Sequence, residues 1–171
     1  MTDAKRRISK VRRRRQGISL TDAEQRFEMA ADNIQIEFKR RRGQKGLRPF
    51  ENANGYLKRA AYALIRRTIA ERGGAATIKS AVRRVTRLPD SPTYTENPFY
   101  WGLLAIDPHL DAIRKRQYLS LYAQQLLYAN RNAVGPEHLI GFLYQTASQR
   151  DLSARLESRR PDDSLVLEPL D

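Results

Sequence analysis

A run of positive charge at the N-terminus is the feature that most limits how this chain can fold. Eight of the first fifteen residues are lysine or arginine, and few side chains among residues 1–17 are apolar. Such a segment cannot bury enough apolar surface to offset the entropy that it loses on ordering. We therefore predict that residues 1–17 form a basic arm that stays disordered until a ligand orders it. Its cations are Lys5, Arg6, Arg7, Lys10, Arg12, Arg13, Arg14 and Arg15.

Charge is also unevenly divided between the two halves of the 171-residue chain, whose formal net charge is +13. Residues 1–88 contain 24 Lys and Arg against 8 Asp and Glu, which gives +16, while residues 89–171 contain 8 against 11, which gives −3. A basic excess of this size indicates a polyanionic partner. We expect that partner to be nucleic acid, with DNA favoured over RNA, and we expect the second half to contact protein.

Several classes of protein are disfavoured by composition. The chain has no cysteine, and its longest wholly apolar stretch, around residues 99–106, is too short to cross a bilayer. The basic N-terminus lacks the apolar segment of a signal peptide, so we expect an intracellular or virion protein that is not secreted. His109 and His138 are not in a metal-ligand spacing, and we interpret both as structural. Because no catalytic motif or glycine-rich phosphate loop appears either, we predict no enzyme, no cofactor and no metal.

Helical periodicity predicts an all-α helical bundle behind the arm. Thr21 and Glu24 have the spacing of a capping box, and an apolar stripe follows over residues 22–42. Further helices are predicted at 54–72 and 76–88, then from Asp107 to about residue 132, from Gly135-Pro136 to about 146, and at 148–158. The stripe of the first helix consists of Ala23, Phe27, Ala31, Ile34 and Phe38.

Composition also suggests where the chain divides. Three prolines among polar residues mark 89–98 as a linker, and the end of the chain has four acids and no base. The predicted organisation is a basic arm at 1–17, a basic helical region at 18–88, the linker at 89–98, a packing and self-association region at 99–160, and an acidic tail at 161–171.

Cations on the predicted helices extend the candidate nucleic-acid surface beyond the arm. Lys79, Arg83 and Arg87 recur every four residues, which places them on one helix face at a spacing that can follow phosphates. Ordinary solvated faces mix the two signs of charge, whereas Glu71 is the only acid in residues 52–88. No feature indicates base-specific contacts, so we predict sequence-independent binding. The other candidates are Lys39, Arg40, Arg41, Arg42, Lys58, Arg59, Arg66 and Arg67.

Aromatic residues in the second half suggest self-association. Nine of the 14 aromatic residues follow residue 88, and we expect a body this small to leave part of them exposed. We therefore predict a homo-oligomer, or an assembly with a related subunit, that grows once a polyanion removes the repulsion between copies. The rings assigned to this contact are Phe99, Tyr100, Trp101, Tyr118, Tyr122 and Tyr128.

One stretch, residues 123–156, resembles known families. AQQLLYANRNAVGPEHLIGFL followed by DLSARL is similar to half of a Clp N-terminal repeat, which has a helix, a V-G-x-E-H-L segment that opens the next helix, and A-x-x-L. The same stretch resembles the second and third helices of a histone fold, where a Pro-x-His-Leu step begins the last helix. The Clp resemblance implies a protein-binding module. Its matching residues are Val134, Gly135, Glu137, His138 and Leu139.

The overall layout favours one function and leaves two alternatives. A basic arm, a basic helical region and an aromatic region together resemble the layout of helical nucleocapsid or coat proteins of filamentous archaeal viruses, or of a chromatin-like protein. We therefore predict a structural protein that packages or coats nucleic acid through phosphate contacts. The alternatives are a Clp-like protein-binding module and a ribosome-associated RNA-binding protein.

Overall fold

The computed structural model describes residues 3–85, 97–113 and 116–146, and these residues form six helices and no strand. The predicted all-α fold is therefore confirmed. The predicted last helix at 148–158 and the acidic tail at 161–171 lie outside the described residues. The helices are α1 (Asp3–Arg42), α2 (Ala53–Ala70), α3 (Gly74–Val85), α4 (Pro98–Ile106), α5 (Arg116–Arg131) and α6 (Leu139–Thr146).

Helix α1 begins at Asp3, about 19 residues before the predicted start at residue 22. The predicted start of the helix at residue 22 is wrong, because the backbone of residues 3–21 continues the same helix. The disorder of the arm in the absence of a ligand stays a prediction. Arginine, lysine, glutamine and alanine favour helix, and no proline precedes Pro49, so nothing in the sequence stops the helix at Thr21. The predicted apolar stripe is confirmed, since Phe27, Ala31, Ile34 and Phe38 are all buried.

Helices α2 and α3 begin and end within three residues of their predicted limits. Asn52 caps α2, because its side-chain oxygen accepts the Gly55 N–H at 2.8 Å. A Cβ on Gly55 would lie 2.0 Å from the carbonyl oxygen of Pro49, so only glycine lets the preceding loop pack this closely on the helix. Gly73 turns the chain between the two helices with a φ of +81°, which suits glycine.

Helix α4 is the centre of the fold, and its helical form was not predicted. Pro98 occupies its first turn behind the capping residue Asn97, and seven of its nine residues are buried. A helix that is apolar on every side is stable only when neighbours cover all of its faces. Gly102 allows the closest of these contacts, since a Cβ there would lie 2.3 Å from the Ile65 side chain of α2.

The long helix predicted to open at Asp107 is interrupted, and that prediction is wrong. Asp107 ends α4, and its buried carboxylate accepts three backbone N–H groups, from Asp111, Ala112 and Ile113, at 2.8–3.0 Å. The chain turns after it, with a positive φ of 56° at Leu110, before α5 begins at residue 116. The Asp-Pro pair therefore caps a short turn and does not open a long helix.

A single buried cluster joins the predicted basic region and the predicted packing region. It includes Phe27 of α1, Leu57 of α2 and Val82 of α3 together with Leu103 of α4 and Leu139 of α6. Polar contacts join the same halves, since the Gln35 side chain donates to the carbonyl of Ile106 at 2.9 Å. The stretches 18–88 and 99–160, where the structure describes them, therefore share one core.

Candidate nucleic-acid interface

The basic arm is the densest cluster of charge on the described helices. Its eight cations fall within residues 5–15, and the backbone there is a continuous part of α1. At a rise of about 1.5 Å per residue, this segment is about 15 Å long. Asp3 is the only acid in the sequence before Asp22, so the whole segment has one sign of charge.

A second basic cluster lies at the C-terminal end of α1 and just after it, and part of it is neutralised within the chain. It consists of Lys39, Arg40, Arg41, Arg42, Lys45 and Arg48. Arg40 and Arg41 both donate to the carboxylate of Glu37 at 2.6 Å, and these bonds lower the pKa of Glu37 to about 2. Arg41 also donates to the backbone carbonyl of Glu51 and lies over the Tyr56 ring, so it belongs to the body of the protein. The side chains of this cluster that are exposed and have no described partner are Lys39, Arg42, Lys45 and Arg48.

Three cations of α2 that the sequence assigned to nucleic acid are used inside the fold. Arg66 donates to the backbone carbonyl of Val134 at 2.7 Å. The half-buried Arg59 has its guanidinium 5.9 Å from the centre of the Phe50 ring. Lys58 places its ammonium 4.0 Å above the Tyr122 ring and donates to Gln125 at 3.1 Å. The second half of the chain thus supplies a carbonyl to Arg66 and a ring to Lys58, although both groups appeared free in sequence. The assignment of the three cations to nucleic acid stays a prediction.

Burial of Lys58 produces a pH dependence of stability. Desolvation lowers the pKa of its ammonium from 10.5 to about 8, so in this interval the unfolded chain binds a proton that the folded chain does not. Stability therefore rises with pH across the interval, by on the order of 1–2 kcal/mol between about pH 8 and 9.5. Urea unfolding at both pH values should show this rise in the wild type and lose it in Lys58→Met. Equal changes in both proteins would contradict the assignment.

The remaining predicted cations are divided between surface and body. Arg67 and Arg83 are exposed and Lys79 is half-buried, while Arg87 lies outside the described residues. Sequence reasoning missed Arg84, which forms ion pairs from α3 to Glu24 and Glu28 of α1. Glu24 is therefore the buried partner of an arginine, and its predicted role in a capping box is wrong.

The rings predicted to mediate self-association are mostly parts of the core. Phe99, Tyr100 and Trp101 are buried in α4, and Tyr128 is buried against Phe142, with 5.5 Å between ring centres. Their placement is a correction, since the small body buries them by making α4 its central helix. The two remaining rings of that prediction lie nearer the surface: Tyr118 is 41% exposed and Tyr122 is half-buried.

The stretch that resembles the Clp and histone-fold families spans the second half of α5, the turn after it and α6, and its last part, residues 147–156, lies outside the described residues. The backbone carbonyl of Val134 accepts both the Tyr62 hydroxyl at 2.8 Å and the Arg66 guanidinium, while Leu139 is buried. His138 and Glu137 are exposed, with 3.7 Å between their side chains. In the described ranges, no group of three His, Cys, Asp or Glu side chains is arranged to hold a metal ion.

Comparisons with protein-family models, with curated protein sequences and with solved structures give no match to this chain. None of the helices described above combines the length and hydropathy needed to cross a lipid bilayer. Function has to be inferred from the charges and surfaces of the chain itself.

Proposed function

We propose that this protein binds duplex nucleic acid, with DNA preferred, through sequence-independent contacts to phosphates. The supporting observation is the charge density of the arm, which has eight cations within residues 5–15 of one helix. A duplex has about one phosphate charge per 1.7 Å, or about nine over the 15 Å length of this segment. The arm therefore has nearly the charge needed to neutralise the duplex beside it, and the counterions that it displaces supply the driving force.

The position of the second basic cluster supports binding along a duplex. Lys39 follows Arg15 by 24 residues on the same helix, a separation of about 36 Å. One turn of B-form DNA is about 34–36 Å long, so the arm and the exposed pair Lys39 and Arg42 can contact the same face of one duplex. All the acids of α1 except Asp3 lie between these two contacts, among them Asp22 and Asp32.

The proposal covers binding and does not extend to a coat or a packaged assembly. Packaging also needs contacts between copies of the protein, and the rings predicted to provide them in α4 are buried in the core. A structural protein that neutralises phosphates needs neither a catalytic group nor a cofactor, so we assign it a binding role and no enzymatic one.

Sequence independence is the property of this function that can be tested most simply. Phosphate contacts are the same at every base pair, so two unrelated duplexes of about 20 base pairs should bind with affinities within about threefold of each other. Competition for a labelled duplex at fixed salt measures the ratio. Absence of binding at low salt would overturn the proposal. A preference of about a thousandfold or more for one duplex would show base-specific recognition instead.

A further inference from the structure

Two open clefts adjoin each other where α2 begins, on a surface that shares only Arg42 with the proposed phosphate contacts. Their volumes are about 480 and 290 Å³, within or close to the range of sites that hold small molecules. Both are lined by Asn52, Asn54 and Tyr122, so the two clefts share a wall and form one surface. We call this surface the α2 groove.

The walls of the α2 groove combine aromatic rings with positive charge. Tyr118 lines the larger cleft and Tyr144 lines the smaller, and their side chains are 41% and 70% exposed. Arg42 lines the larger cleft and Lys58 the smaller. Asp111 is the only acid among the residues that line either cleft. Exposed rings beside cations fit a ligand with both flat faces and negative charge.

The ring at the shared wall is held in place by its neighbours. The Lys58 ammonium lies 4.0 Å from the centre of the Tyr122 ring, and the same ammonium is anchored by Gln125. The close approach of the Gly55 backbone to the Pro49 carbonyl fixes the loop that forms the groove's other side. A groove with fixed walls loses little entropy when it takes a ligand.

We infer that the α2 groove binds an unpaired nucleotide strand, whose bases stack on Tyr118 and Tyr144 while Arg42 and Lys58 contact its phosphates. The choice of a nucleic acid over other anions rests on the proposed function. Single strands expose the faces of their bases, whereas a duplex keeps them stacked inside, so rings in a groove select the unpaired form. The protein would then hold duplex on the arm and unpaired strand on the body.

The test uses the full chain with the eight arm cations changed to glutamine, so that the arm does not dominate binding. An oligothymidylate of about ten nucleotides is the probe, and its affinity is measured by fluorescence anisotropy. Changing Tyr118 and Tyr144 together to alanine should weaken this binding at least about tenfold, because stacking on each ring is lost. Tyr118→Phe with Tyr144→Phe keeps both aromatic faces and should bind as the parent does.

Controls separate the groove from the arm. In the chain with its native arm, the two alanine changes should leave the affinity for a duplex of about 20 base pairs within about twofold. Both rings are exposed, so thermal melting should show little loss of stability in the variants. Met29→Ala, an exposed apolar change on α1, is the matched control and should alter neither affinity.

Each contrary outcome has a separate meaning. Unchanged oligothymidylate binding in the alanine variant, or no such binding in its parent, overturns the groove assignment. Neither result affects the proposed function, which is tested separately by duplex binding through the native arm. An acidic peptide of about ten glutamates that binds the parent as tightly, with the same dependence on both rings, would overturn the nucleotide assignment and identify a peptide groove.

Discussion

Replacing Trp101 with alanine is expected to destabilise the protein by about 3–5 kcal/mol. Trp101 is only 3% exposed on the central helix α4, and its ring meets Tyr100 edge to face with 5.7 Å between centres. Truncation would leave a cavity in a core to which α4 and the other five helices all contribute. Urea unfolding followed by circular dichroism measures the loss, and a variant this destabilised loses a large part of the stability of an ordinary domain.

Two control variants show whether this loss of stability comes from the buried ring. Trp101→Phe keeps most of the ring and removes an indole N–H that is buried without a partner among the described residues, so it should cost clearly less than alanine. Tyr144→Ala, at a side chain that is 70% exposed, should change stability by no more than about 0.5 kcal/mol. If Trp101→Ala were as stable as the wild type and instead weakened self-association, the ring would be a surface residue, as the sequence first suggested.

The helices that could be predicted are those with one buried face. The stripe Phe27, Ala31, Ile34 and Phe38 recurs with helical spacing because the other side of α1 faces water. Helix α4 has no such contrast, since residues 98–106 are apolar in every direction. A pattern without a polar face has no periodicity to detect, so the burial of α4 at the centre of the fold could be established only from the structure.

The candidate site was less predictable, because a cation in sequence has no visible partner. Nothing in the sequence distinguishes Lys58 and Arg66 from Arg67. In the fold, Lys58 lies over the Tyr122 ring and Arg66 donates to the Val134 carbonyl, whereas Arg67 remains exposed. Those partners lie more than 60 residues away along the chain, and only packing brings them together. The arm was recognisable because its charge is too dense for any folded surface to satisfy, although its helical backbone was not foreseen.

Changing the eight arm cations to glutamine is expected to weaken duplex binding by about a thousandfold or more at 0.1 M salt. Glutamine has a helix propensity close to that of arginine and lysine, so α1 should keep its helical content. Arg67→Gln with Arg72→Gln removes two exposed charges from the body and is the matched control, with an expected loss of about tenfold or less. Anisotropy of a labelled duplex measures all three proteins.

The salt dependence of duplex binding tests the phosphate-binding proposal most directly. If the arm neutralises about eight phosphates, the logarithm of the association constant should fall with the logarithm of salt concentration at a slope of roughly −7. Removing the arm's charges should bring the slope to between about −2 and zero, because few counterions are then released. A wild-type slope near zero, or a glutamine variant with the wild-type slope, would contradict binding through phosphate contacts of the arm.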